Sequence, residues 1–146
     1  MKKIMFIILI TCGATLFAQE RAVQVRWNAV PLILKVANPE VIYYPSPKIG
    51  LILSPMIGYG EEKILGGTIG IQAIPIMWRK LSGLTVEISA GFVGTPTQGS
   101  VITTITSGVQ HRFPIGLTLS VNAGTSYLWY PMINSFTGSV CIGWSF

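Results

Sequence analysis

Leu84-Thr85-Val86-Glu87-Ile88-Ser89-Ala90-Gly91-Phe92 alternates apolar with polar or small residues over nine positions without a slip. Successive side chains of a β-strand point to opposite sides, so Leu84, Val86, Ile88, Ala90 and Phe92 share one face and Thr85, Glu87, Ser89 and Gly91 the other. The same period continues outward in both directions. Leu117, Leu119, Val121 and Ala123 oppose Thr118, Ser120, Asn122, Gly124 and Ser126. Ile49, Leu51, Leu53, Ile57 and Tyr59 oppose Gly50, Ser54 and Gly58. Thr104, Thr106, Gly108, Gln110 and Arg112 form one polar face, and Val23, Val25 and Trp27 stand against Gln24, Arg26 and Asn28. The segments 68–78 and 39–44 follow the pattern more loosely.

A chain of 146 residues suits one domain. Half of it is hydrophobic and a tenth charged, against roughly a quarter charged in soluble domains. The net charge of +5 forms no basic stripe, so the charge gives no reason to expect a nucleic-acid partner. After residue 18 no run of about 20 apolar residues exists, so a membrane-crossing helix is excluded. Backbone groups in lipid must be bonded internally, and a spanning sheet therefore closes on itself. Segments of about ten alternating residues between turns are the signature of a barrel. The expected fold is all-β, a closed antiparallel transmembrane β-barrel of about eight strands: 22–30, 39–44, 49–59, 68–78, 84–94, 101–113, 117–129 and 136–146. An even strand number puts both termini on one side. Short turns are expected at Pro45–Lys48, Arg79–Gly83 and Pro114–Gly116, and outer connections near Pro31–Asn38, Gly60–Gly67, Thr95–Ser100 and Tyr130–Ser135.

The N-terminus has the form of an export signal. Lys2 and Lys3 precede the apolar run Ile4 to Ile10, and a small-residue stretch leads to Ala18-Gln19. The expected division is a signal peptide at 1–18 and a barrel at 19–146. Leu9-Ile10-Thr11-Cys12 offers a competing lipoprotein box. Cys12 and Cys141 are the two cysteines; one thiol left after cleavage makes no internal disulfide, and no metal-ligand spacing is present.

The end of the chain repeats the alternation: Val140, Ile142, Trp144 and Phe146 against Ser139, Cys141, Gly143 and Ser145. This resembles the C-terminal β-signal of Gram-negative outer-membrane proteins, which the barrel-assembly machinery reads. Size and order resemble the small barrels typified by the transmembrane domain of outer-membrane protein A. The resemblance implies a location in the outer membrane with both termini periplasmic, lipid as the surroundings and the assembly machinery as a partner during insertion. Aromatic girdles are then expected at Tyr43, Tyr44, Trp78 and Phe113 on the periplasmic side, and at Tyr59, Phe92, Trp129 and Tyr130 on the outer side. A soluble β-sandwich with an aromatic tail is the competing fold.

Three features sit poorly in a barrel. Pro55 and Pro75 fall mid-strand and each requires a bulge or a lost ladder bond. Val30 to Val36 is apolar for a loop, and Ile74 and Ile76 both fall on the inner face.

An eight-stranded barrel is just wide enough for its own side chains to fill it. Arg26, Glu40, Glu87 and Arg112 point inward and are expected to form a lumen charge network, since an unpaired buried charge is expensive. A gated polar path is the sharper alternative. His111, the one histidine, has no serine two residues on, and the chain holds no Asp to orient it. Among the glycines no phosphate loop is found. The outer connections are short for binding loops. The expected function is a non-enzymatic barrel with a structural, anchoring or complex-subunit role and no cofactor. A porin-like transporter of small or hydrophobic molecules, with Pro55 or Pro75 marking an opening in the wall, is the alternative. A lipid-modifying enzyme is a third reading.

Overall fold

The alternating segments become strands of one antiparallel sheet that closes into a ring. The structure is a computed structural model and describes residues 22–29, 35–59, 63–95 and 97–146. The signal segment and part of the first outer connection lie outside the described residues. In chain order the strands are β1 Ala22–Asn28, β2 Val36–Ala37, β3 Pro39–Ser46, β4 Ile49–Gly58, β5 Leu65–Arg79, β6 Ser82–Gly94, β7 Gly99–Arg112, β8 Leu117–Leu128 and β9 Ile133–Ser145. Each of β3 to β9 pairs with its sequence neighbour, β1 pairs with β3 on one side, and β1 closes the ring on β9. Eight strands make the barrel. The two-residue β2 continues the line of β3 beyond Asn38 and pairs with Ile57–Gly58 of β4.

Faces follow the period. Leu51, Ile69, Ile88, Ile105, Val121 and Ile142 are exposed on the outside. Gln24, Thr68, Gln72, Thr85, Gln110, Thr118 and Asn122 are buried inside. Charges divide the same way. The exposed Lys48, Arg79 and Lys80 lie at the short turns, and Lys35 and Lys63 at the opposite end. Arg26 and Glu40 are buried in the lumen. The sheet is thus inside out relative to a soluble domain.

Prolines lie at two of the three register shifts in the ladder; the third, between Met77 and Arg79, adjoins the β5–β6 turn. Register shifts by one residue between Ala73 and Ile76 of β5, around Pro75, and between Tyr43 and Ser46 of β3, around Pro45. A bulge supplies the residue that proline cannot bond. It also reverses the parity beyond Pro75, which corrects the expectation for Ile76: Ile74 is fully buried in the lumen, but Ile76 is turned out and exposed. Strand ends also differ from expectation, most at β5, which starts at Leu65, and β9, which starts at Ile133.

Another irregularity has a different form. The pairs Val41–Leu53 and Ala37–Ile57 share one register, which sets Pro39 directly opposite Pro55. Farther along that register the Tyr59 N–H donates to the Lys35 carbonyl at 2.9 Å. Narrow and wide pairs alternate along an antiparallel ladder, so Pro39–Pro55 is a hydrogen-bonded pair by position. Neither residue has an N–H to give. Two successive ladder bonds are missing there.

At the short-turn end an apolar plug fills the lumen. Ala22, Ile42, Tyr44, Ile52, Ile74 and Leu81 form it, with Met77 packed against them. Leu81 belongs to the turn between β5 and β6 and has φ +56°. That left-handed conformation disfavours a branched side chain, yet the leucine is fully buried. Burial in the plug holds the turn in its shape. Gly50 makes room for the plug: a Cβ there would come within 2.6 Å of Ile42 Cγ2 and 2.9 Å of Tyr44 Cε1.

Candidate functional site

Above the plug the lumen is polar, and its chemistry is built on three charged residues from three strands. Arg26 of β1 donates through Nε to Glu40 of β3, its ladder neighbour. Its Nη2 donates to both oxygens of Glu87 on β6, each at 2.9 Å. The Arg26 side chain is 1% exposed while those of Glu40 and Glu87 keep 11% and 12%. The arginine therefore sits below the acids, and the acids face the open end. Two carboxylates share one guanidinium, leaving one negative charge in excess.

Neutral groups complete the cluster. Gln72 donates to Glu87 Oε1 at 2.6 Å, and Asn122 donates to the same oxygen at 3.3 Å and to Ser139 at 3.2 Å. Thr85 Oγ1 donates to Asn122 Oδ1 at 2.9 Å. Beneath, the Tyr44 hydroxyl lies between the amide oxygens of Gln24 and Gln72, and Gln110 donates to the Leu81 carbonyl at 2.9 Å. Tyr44 thus caps the plug with its ring down and its oxygen in the polar layer. This corrects its expected girdle position: the parity that turns Glu40 inward turns Tyr44 inward too, leaving it 2% exposed.

Arg112 is the second departure. It lies at the short-turn end of β7, where its Nη2 donates to the Ser145 carbonyl at 3.5 Å and its backbone N–H to Ser82 Oγ at 2.8 Å. Among the described residues it reaches no carboxylate. Arg26, Glu40 and Glu87 come together; Arg112 does not join them.

Above the acids the lumen widens into a polar vestibule of about 240 Å³, floored by Glu40 and Glu87 and walled by residues such as Asn38, Ser54, Thr68 and Thr104. It faces the end away from the short turns. Met56 and Ile102 are its apolar lining. Ser54 Oγ donates to Asn38 Oδ1 across the β3–β4 line.

The remaining candidate residues lie elsewhere. Tyr43, Trp78, Phe113 and Trp144 ring the short-turn end, while Tyr59, Phe92, Trp129 and Tyr130 are exposed toward the other. Val140 and Ile142 are exposed on the outer face of β9 in line with Trp144. His111 lies on the outer wall, edge-on to Phe113 with ring centroids 4.7 Å apart. Cys141 is a buried free thiol. Among the described residues no group of three His, Cys, Asp or Glu could hold a metal ion.

Alternation alone marked Gln110 and Asn122 as inward, whereas Gln72 lies in a segment where the pattern is loose; their convergence on Glu87 and Tyr44 depends on which strands face each other across the ring. No protein-family model, curated protein or solved structure matches this chain.

Proposed function

We propose that the chain is an outer-membrane barrel of the small Gram-negative type, with a non-enzymatic structural, anchoring or complex-subunit role. One observation carries this reading: an uncharged, mostly apolar outer face encloses a charged, hydrogen-bonded lumen. In water that arrangement forfeits the burial that folds a soluble sheet; in lipid it is the stable one. Exposed cations at the two rims and aromatics at both ends support it. In this reading the signal at 1–18 is removed, Val140, Ile142, Trp144 and Phe146 guide insertion by the assembly machinery, and both termini are periplasmic. The plug, the ion cluster and the short connections favour a scaffold over a pore.

Fractionation, with SDS gels run before and after boiling, tests the reading. A membrane-embedded closed barrel is recovered with the outer membrane and migrates faster unboiled; recovery in the soluble periplasm without a shift refutes it. Liposomes holding the protein should show no sustained passage of small hydrophilic solutes. A second reading, transfer of hydrophobic molecules through the wall, is favoured by the unbonded Pro39–Pro55 pair.

A further inference from the structure

Ser54 and Thr68 line two cavities at once. On the inside they wall the vestibule. On the outside they belong to an apolar groove of about 480 Å³ bounded by Leu53, Pro55, Gly67 and Ile69. Gly67 pairs with Pro55 on one side and Phe92 on the other, so it leaves the outer face bare between them. Along this stretch the wall between polar cavity and apolar surface is one backbone thick. That stretch is the β4–β5 seam, which keeps its pairing at Ser54–Thr68 and Pro55–Gly67; the two missing ladder bonds lie on the other side of β4, at Pro39–Pro55. What spans the gap from inside is a side-chain bond, Ser54 to Asn38.

We propose that β3 and β4 part at the Pro39–Pro55 pair and admit the polar head of a single-chain membrane amphiphile into the vestibule, while its tail stays in the groove at Gly67. This rests on the membrane reading and gives the second functional reading its substrate class. A polar cavity and an apolar groove sharing one thin wall suit a molecule with both characters. The floor selects the head. Glu40 and Glu87 carry one negative charge more than Arg26 balances, and the walls offer hydroxyls and amides. A hydrogen-bond-donating head, amine or hydroxyl, is accepted; a carboxylate is repelled. The apolar plug blocks passage onward, so the molecule enters and leaves by the same slot.

The test uses the full barrel in proteoliposomes with Cys12→Ser, Cys141→Ser and a label site, Thr104→Cys, in the vestibule. N-dodecylmaleimide is supplied from the membrane and a trimethylammonium thiosulfonate from the water. Pro39→Val with Pro55→Val returns both N–H groups. It should slow labelling by the dodecyl reagent at least tenfold and leave the water-borne reagent within twofold. Ser54→Ala removes the inner bond and should speed the dodecyl reagent several-fold. Dodecylamine and dodecanol should protect the site, and dodecanoate should not. Equal slowing of both reagents, or a dodecyl rate indifferent to Ser54→Ala, overturns the slot; equal protection by dodecanoate overturns the head chemistry. Should the proline variant fail to fold, the Ser54→Ala arm decides alone. Heat-modifiable migration of each variant is read on the same vesicles, so failure of the membrane reading is seen separately.

Discussion

Arg26 and Glu87 stand on strands diametrically opposite in the ring, and the guanidinium reaches across the lumen to hold both carboxylate oxygens at 2.9 Å. Glu40 shares the same cation from the adjacent strand. Charge balance then ranks the substitutions. Arg26→Leu leaves two carboxylates buried with no cation and should cost about 3–5 kcal/mol. Glu87→Gln or Glu40→Gln leaves one acid against one base and should cost about 1–2 kcal/mol. Urea unfolding in lipid vesicles, followed by tryptophan fluorescence, measures the order. Equal losses for Arg26→Leu and Glu87→Gln would mean that charge balance is not what holds the cluster.

Ile88 is exposed at mid-height on β6. In a bilayer a lysine there should cost about 2–4 kcal/mol. In a water-soluble sheet the same exposed position would tolerate it within about 0.5 kcal/mol. Ile88→Lys therefore separates the two folds in one experiment, with Ile105→Lys as its replicate on β7.

Leu81 combines an unfavourable backbone with full burial, and two substitutions separate those effects. Leu81→Ala keeps the left-handed strain and opens a cavity in the plug, for an expected loss of about 2–5 kcal/mol. Leu81→Gly opens the same cavity but relieves the strain, which is worth about 1 kcal/mol. The glycine variant should therefore unfold at higher urea than the alanine one. The reverse order would show that the turn is not strained by its side chain.

Most of the barrel was legible because each strand separates two unlike environments, and that contrast writes itself into the sequence every second residue. Reading failed where parity changed. Nothing about Ile76 as a residue says that it faces out; the bulge at Pro75 decides it. Tyr43 and Tyr44 are adjacent and chemically alike, and aromatic character alone could not tell girdle from plug. The charged site was half legible. Inward direction is a strand property, but partnership depends on height along the axis and on which strands oppose, and Arg112 sits too near the short turns to meet the acids. The facing prolines were invisible for the same reason: residues 39 and 55 become a pair only once register is known.

Gly50 offers a test of the plug from the opposite direction. A methyl group there meets Ile42 Cγ2 at 2.6 Å and Tyr44 Cε1 at 2.9 Å, so Gly50→Ala should overpack the plug by about 1–3 kcal/mol. Adding Ile42→Ala removes the nearest contact. The double variant should then be less destabilised than the two single losses summed, as expected for side chains in contact. Simple additivity would show that the two residues do not share space.

The ring closes between the two ends of the chain, β1 on β9, through five register pairs from Gln24–Ser145 to Asn28–Cys141. That join unites residues more than a hundred positions apart, the kind of contact that forms late because chain entropy is lost before anything is gained. β1 also carries the arginine. Until the ring closes, Glu87 faces a lumen that has no opposite wall and no cation. Closure therefore brings the guanidinium to Glu87 in the same step that completes the wall. The join that closes the ring is thus also the one that brings Glu87 its cation, and the two ends of the chain complete the lumen together.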